Sequence, residues 1–297
     1  MDGLGGVAVL EGALSVLTGI AVFFILPDSP ESAGWLNQRE KQFLRRRLDQ
    51  DSGTREGRVA STEKFQLKYL IAALTDWKIW FTVLVYWGST IPNYAMTFTA
   101  PQIITYLGYT AAEAQLLTVP IYAGALISTV VCAILADKYK TRWPFVVFPY
   151  TAAAIGFIGL LATPQARLPG LTYAFLFPVT AGCYPGVITV VSWAANNLAP
   201  SSKRAAGLGL SLTLANAGGI VGSNIFLAKE APRYWTGYGL CMAFISIAIA
   251  SALFLRFTLK RENHKRDQYS EEEIREKYTE EQLLEMGDAS PLYRYVY

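Results

Sequence analysis

Four polar, uncharged side chains lie near the middle of long apolar stretches, where a hydrogen-bonding group could contact a small ligand. They are two asparagines and two tyrosines: Asn93, Tyr122, Tyr184 and Asn216. If these stretches cross a bilayer, an amide or a phenol there needs a protein partner or a water-filled cavity. We therefore interpret the four as candidates for lining a substrate cavity. The alternative is that each of them only hydrogen-bonds a neighbouring helix.

Ionisable groups are nearly absent from the same stretches, and this restricts the chemistry that the chain could perform. Between residues 79 and 255 no Asp, Glu, Lys or Arg lies near the middle of an apolar stretch, and the single histidine, His264, follows the last one. The sequence also lacks a CxxC pair, a phosphate-binding loop and a nucleophile paired with a base. We therefore expect no enzyme, no cofactor, no metal site and no nucleic-acid partner.

The elements that must position the four side chains are transmembrane helices. The chain is 52% hydrophobic and only 16% charged, whereas soluble domains average about 25% charged residues. A helix needs about 20 predominantly apolar residues to cross a bilayer. We predict seven such spans, at residues 7–26, 79–100, 114–135, 144–163, 168–191, 205–228 and 238–259.

The basic residues predict which side of the bilayer each connecting segment occupies. Segments 27–78, 136–143, 192–204 and 256–297 contain every Lys and Arg of the chain except Arg167, Lys229 and Arg233. Because cytoplasmic segments are enriched in Lys and Arg, these four segments are predicted to be cytoplasmic. The N-terminus is then outside and the C-terminus inside. We expect an integral protein of the plasma membrane, with the lipid bilayer as its first partner.

Small residues mark the span at 205–228 as a helix packed inside a bundle. They recur at every fourth position, and a second pair repeats the spacing beside them: Gly207, Ser211, Ala215, Gly219 and Ser223, then Gly218 and Gly222. Such ribbons let two membrane helices approach closely. We expect this whole face to be buried.

Two capping boxes predict helices in the polar segments. Asn37 with Glu40 opens a basic amphipathic helix in segment 27–78, either on the anionic inner leaflet or packed on the protein. Ser270 with Glu273 opens an acidic helix that fades at Gly287. We expect the tail from residue 260 to 297 to be solvated.

Three stretches carry a resemblance to a known family. They are LPDSPESAGWL at residues 26–36, LGYTAAEAQLLTVPIYA at residues 107–123, and SWAANNLAPSSKRAAGLGLSLTLANAGGIVGSNIF at residues 192–226. All three resemble the anion:cation symporter (allantoate permease-like) branch of the major facilitator superfamily. The family has twelve spans in two halves, and the resemblance covers only the last seven.

The resemblance implies a fold and a function. The fold is an all-α integral membrane protein, with a major-facilitator-type C-terminal six-helix half after one further transmembrane helix. The segments are then a helix at 1–26, a cytoplasmic loop at 27–78, the six-helix half at 79–259 and a cytoplasmic tail at 260–297. The implied function is proton-coupled transport of small organic anions such as allantoate or vitamin-like carboxylates. Asn93, Tyr122, Tyr184 and Asn216 fall on family helices that line the central cavity.

The turn ADKYKTR at residues 136–142 is similar to the superfamily's cytoplasmic loop motif, though Ala133 stands where the family has glycine. The similarity gives Asp137, Lys138 and Arg142 a gating role. A plain turn that carries cytoplasmic basic residues is the alternative.

Two further readings concern the whole chain. Seven spans with this orientation are also receptor topology, but the sequence has no N-P-x-x-Y in its last span and no D-R-Y after its third. As one family half plus one helix, the chain is expected not to transport alone. An N-terminal half or a second copy would have to complete the cavity.

Overall fold

The computed structural model describes residues 2–27, 29–51, 67–164 and 167–297, and every regular element in these ranges is a helix. The chain divides into two compact units, Met1–Gly57 and Arg58–Tyr297. The first contains α1 (Asp2–Ile25) and α2 (Gln38–Asp51). The predicted capping box at the start of α2 is confirmed. The backbone N–H of Asn37 donates to the Glu40 carboxylate at 2.9 Å, and the backbone N–H of Glu40 donates to the Asn37 side-chain oxygen at 2.9 Å.

The second unit is a bundle of long helices followed by a short helical tail. Its elements are α3 (Leu67–Leu74), α4 (Trp77–Tyr106), α5 (Ala111–Tyr139), α6 (Pro144–Ala162), α7 (Pro169–Asn196), α8 (Ser201–Gly222), α9 (Trp235–Arg266), α10 (Glu271–Lys277) and α11 (Glu280–Met286). Short 3-10 turns follow α8 and α11. The predicted all-α membrane fold with a six-helix half is confirmed.

Within the described residues, the number of membrane-spanning helices reaches six rather than the predicted seven. Helices α5 to α9 are each long and apolar enough to cross a bilayer, and α3 with α4 passes as a sixth span bent by 58°. The bend lies at the N-cap of α4, where the Asp76 side chain accepts from the Lys78 N–H. Helix α1 contributes a shorter apolar stretch, Gly12–Ile25. The span at residues 7–26 stays a prediction. The division of the chain into segments 1–26, 27–78, 79–259 and 260–297 also stays a prediction.

Helix α7 packs against both α5 and α6, while α4 packs against α7, α8 and α9. The core between these helices includes the fully buried rings of Tyr150, Phe157 and Tyr238. The Tyr150 hydroxyl donates to the carbonyl of Val85 at 2.9 Å, so the core joins α6 to α4 by a hydrogen bond as well as by packing.

The small-residue face of α8 is buried against α4, although its register differs from the prediction. The buried positions are Gly207, Ser211, Ala215, Gly218 and Gly222. The predicted Gly219 and Ser223 lie outside this set, because a spacing of four residues drifts away from the helical repeat of 3.6. The close approach explains Gly222, since a Cβ there would lie 2.6 Å from the carbonyl oxygen of Ile91.

Proline does not interrupt α7, although Pro178 and Pro185 both lie inside it. The helix runs through Pro185, although proline has no N–H to offer the carbonyl four residues earlier. That carbonyl belongs to Ala181, and it accepts a hydrogen bond from the Ser128 hydroxyl of α5 at 2.7 Å. A side chain of the neighbouring helix thus replaces the missing backbone donor.

Candidate functional site

Two of the four predicted site residues, Tyr122 of α5 and Tyr184 of α7, are in contact. Their ring centroids are 5.9 Å apart and the rings meet edge to face at 72°. The Tyr122 hydroxyl is buried and makes no hydrogen bond of normal geometry with any described residue, although Thr97 of α4 is near enough to interact with it. A buried phenol with a spare donor can bind a ligand oxygen, because leaving it unpaired costs free energy.

Two hydrogen bonds tie α5 to α7 near the tyrosine pair, and on α5 their attachment points lie on either side of Tyr122. The Tyr173 hydroxyl donates to the Leu117 carbonyl at 2.9 Å, and the Ser128 hydroxyl binds the Ala181 carbonyl. Both bonds join a side chain of one helix to the backbone of the other. The pair therefore lies on a stretch of the two helices that is fixed in register.

Asn93 is half-buried on α4 and is connected to α7 through a serine. Its amide nitrogen donates to the Ser89 hydroxyl at 3.3 Å, and Ser89, which is fully buried, donates to the carbonyl of Cys183. Cys183 directly precedes Tyr184. Asn93 thus contributes to a hydrogen-bond chain that ends beside the tyrosine pair.

Asn216 occupies a separate, exposed position on α8. Its amide nitrogen donates to the Leu212 carbonyl of its own helix at 2.8 Å, and its oxygen accepts from the Tyr94 hydroxyl of α4 at 3.5 Å. Tyr94 is 38% exposed. The structure thus forms the pairs Tyr122–Tyr184 and Tyr94–Asn216, and a cavity shared by all four predicted residues stays a prediction.

The predicted gating turn between α5 and α6 is closed by an ion pair of its own. Asp137 and Arg142 are 2.7 Å apart, with the carboxylate largely exposed and the guanidinium largely covered. Lys140 supplies the left-handed residue of the turn at φ 52°, and Lys138 lies against the ring of Tyr139. Among the described residues, Asp137 forms an ion pair within the turn rather than with another helix.

A buried ion cluster, which the sequence did not reveal, lies where α4 and α8 begin and α7 and α9 end. We call this the inner end; the basic residues predict it to be cytoplasmic. The cluster consists of Asp76, Lys78, Lys203 and Asp288, whose side chains are at most 12% exposed. Lys203 contacts Asp76 at 2.7 Å and Asp288 at 2.8 Å. Lys78 contacts Asp76 at 3.4 Å and also pairs closely with Asp288.

Asp288 belongs to the tail segment, residues 287–297, which is bound along the inner end. The Trp193 indole N–H of α7 and the amide of Asn197, which directly follows that helix, both donate to the carbonyl of Val296 at 2.8 Å. The Asn263 amide of α9 donates to the Tyr295 carbonyl at 2.8 Å. The expectation of a solvated tail is therefore wrong for these residues, because the segment satisfies polar groups at the helix ends.

Tyrosine side chains complete the attachment of the tail segment. The Tyr293 hydroxyl donates to the Asn196 carbonyl at 2.6 Å, and burial, with the neighbouring Asp288 carboxylate, raises the pKa of Tyr293 to about 12. Tyr293 is therefore a neutral donor at physiological pH. The Tyr295 ring lies under both Lys78 and Arg266, at 4.6 and 4.4 Å from the ring centroid. Within this cluster, only Asp76 and Lys78 are close enough in the sequence for their pairing to be expected. Asp288 is 210 residues after Lys78.

Comparison with known proteins identifies relatives of the chain. Residues 3–223, and in a second match residues 82–286, fit the sequence profile of the Major Facilitator Superfamily. The MFS-type transporter cnsO of Penicillium expansum is 35% identical over 97% of this chain and 57% of its own length. The high-affinity nicotinic acid transporter of Saccharomyces cerevisiae is 28% identical over 97% of this chain and 53% of its own length. The chain spans about half the length of the curated relatives it matches.

Proposed function

Because the chain belongs to the major facilitator superfamily, we propose that it acts in proton-coupled secondary transport of small organic anions. The observation that supports a ligand contact is the Tyr122–Tyr184 pair, with a buried hydroxyl that makes no normal hydrogen bond among the described residues. Family membership favours transport over an enzymatic or receptor role. The proposed site consists of Tyr122 and Tyr184, with Asn93 and Asn216 as further contacts.

The proposed substrate class is a small carboxylate such as nicotinate or allantoate. One relative is named a high-affinity nicotinic acid transporter, and the anion:cation symporter resemblance of residues 192–226 points to the same class. Tyrosine and asparagine offer uncharged donors, which bind a carboxylate without the desolvation cost of a buried cation. A cation that balances the substrate charge is expected outside residues 79–259.

Proton coupling needs a group that titrates within the transport cycle. In the described spans α5 to α8 the acidic residues are Glu113 and Asp137. Both lie near the ends of α5, and both are exposed. We propose that an N-terminal half supplies the coupling group and the opposite wall of the cavity; a second copy of this chain would supply a wall but no coupling group. The exposed Tyr94–Asn216 pair supports a surface for such a half, because polar groups facing lipid are costly. On this proposal, residues 1–297 do not transport alone.

Uptake assays test the site. In cells lacking their own nicotinate and allantoate permeases, residues 1–297 are expressed alone and fused behind the N-terminal half of the nicotinic acid transporter. Saturable, pH-dependent uptake of labelled substrate is expected only from the fusion. Uptake by residues 1–297 alone would reject the need for an N-terminal half, would indicate that copies of this chain complete the cavity, and would leave the transport function standing.

A matched pair of tyrosine variants tests the ligand contact within the fusion. Tyr122→Phe keeps the ring against Tyr184 and removes only the hydroxyl, so uptake is expected to fall roughly tenfold at equal expression. Tyr173→Phe removes a hydroxyl that is already bonded to Leu117, and substrate affinity should be unchanged. Equal uptake by Tyr122→Phe and the parent would remove Tyr122 from the site.

A further inference from the structure

We propose that the tail segment, residues 287–297, is a clamp that holds the inner ends of α4, α7, α8 and α9 together. Its release would open the interior between those helices. The clamp does not depend on which substrate is carried. It is anchored by charge at Asp288, by backbone fit at Gly287 and by hydrogen bonds near Val296.

The charge anchor depends on Asp288 because the cluster is neutral only with its carboxylate present. Two ammonium groups, on Lys78 and Lys203, face two carboxylates, on Asp76 and Asp288. Without the Asp288 charge, two buried cations share a single carboxylate. Removing one partner from a buried ion network is far more costly than removing an exposed pair. The cluster therefore favours the bound segment strongly.

The backbone anchor depends on the absence of a side chain at residue 287. Gly287 has φ +56°, a conformation that L residues rarely adopt. A Cβ added there would meet the carbonyl of Ala199, and it would lie 2.7 Å from Cδ of Pro200. The segment also donates the Asp288 N–H to that Ala199 carbonyl at 3.3 Å. Gly287 thus permits an approach to the α7–α8 connection that no other residue allows.

A small space lies beside the residues to which the clamp is attached. A cavity of about 20 Å³ is bounded by Lys78 and Thr82 of α4, Trp193 of α7 with Asn197 directly after that helix, and Leu255 of α9. It is large enough for about one water molecule. Lys78, Trp193 and Asn197 are the same residues that hold the tail segment. Detaching the segment therefore exposes this space, and Thr82, which is 9% exposed, becomes reachable.

The test measures how fast a cysteine at position 82 reacts with a polyethylene-glycol maleimide. The full chain is used with Cys132→Ser and Thr82→Cys, and the buried native Cys183 and Cys241 report whether the whole bundle unfolds. The charge arm compares Asp288→Asn with Asp267→Asn. The control removes an exposed ion pair between Asp267 and Arg294, which belongs to the tail segment. The steric arm compares Gly287→Ala with Gly239→Ala on α9, where a Cβ has nothing within 4 Å.

The clamp predicts that Asp288→Asn and Gly287→Ala each raise the labelling rate at position 82 at least about tenfold. Cys183 and Cys241 should stay unlabelled, and the two control variants should react at the parent rate. Parent-like labelling in both Asp288→Asn and Gly287→Ala would overturn the proposal. Simultaneous labelling of all three cysteines would also overturn it, because the segment would then be part of the global fold rather than a separable clamp.

Discussion

The inner end and the middle of the bundle use polar groups in opposite ways. At the inner end, four charged side chains pair with one another almost without exposure to solvent. In the middle, the polar groups are uncharged, and one of them, the Tyr122 hydroxyl, makes no normal hydrogen bond among the described residues. The difference shows that strong electrostatic attachment and spare hydrogen-bonding capacity are placed at different depths of the same bundle.

This separation has a physical reason. A charge near the middle of a bilayer is far more costly than a neutral amide or phenol, whereas at a helix end it can be paired and hydrogen-bonded by connecting segments. Attachment at the inner end can therefore be strong without placing charge on the path of a substrate. The predictions below test how complete the separation is.

The largest effect is expected at the inner end. Asp288→Asn leaves Lys78 and Lys203 facing only Asp76, so the free energy of unfolding should fall by about 3–5 kcal/mol. Denaturant unfolding in mixed micelles measures it, with Asp267→Asn as the exposed control at about 0–1 kcal/mol. Equal losses in the two variants would show that the cluster adds no more than a surface pair.

A smaller loss is expected from the hydrogen-bond chain in the middle of the bundle. Ser89→Ala removes the donor to the Cys183 carbonyl and the acceptor of Asn93. The free energy of unfolding should fall by about 0.6 kcal/mol and at most about 1.7 kcal/mol, as for other polar contacts between membrane helices. Ser246→Ala, whose hydroxyl bonds only to its own helix, is the control. A loss as large as that of Asp288→Asn would contradict the comparison.

Stability should change least at Asn216. Its side chain is exposed, and its bond to Tyr94 is long at 3.5 Å, so Asn216→Leu should alter the free energy of unfolding by less than about 0.5 kcal/mol. Uptake by the fused transporter should nevertheless fall, because the proposed cavity loses a donor. Parallel loss of expression and uptake would make Asn216 a packing residue.

The assignment of the inner end to the cytoplasm can be tested by engineered glycosylation. The chain has no N-x-S/T sequon, but Gly108→Asn completes one with Thr110, and Ser52→Asn completes one with Thr54. Glycosylation is expected at position 108 alone, because residues 101–112 are predicted to lie outside. Modification at position 52 with none at position 108 would invert the topology.

Local features were predictable from the sequence, and distant pairings were not. The apolar runs and the capping boxes at Asn37 and Ser270 depend on neighbouring residues, and the structure has both boxes. A further box, at Thr279 with Gln282, divides the predicted acidic helix into α10 and α11. Asp288 gave no such signal, because its partners are set by the folded chain.

The candidate site was predictable only in part for the same reason. The depth of Tyr122 and Tyr184 along their spans could be counted, and the structure brings their rings together. Which face of a helix a residue occupies depends on packing, so the count did not show that Asn216 would bond with Tyr94.

Pro185 of α7 has a mechanical consequence for the tyrosine pair. A helix lacking one backbone hydrogen bond bends more readily at that turn, and in α7 the turn from Ala181 to Pro185 includes Tyr184. Its resistance to bending depends on the Ser128 hydroxyl of α5. A shift of Ser128 would therefore change how easily α7 bends at the turn that carries Tyr184, and with it the position of Tyr184 relative to Tyr122.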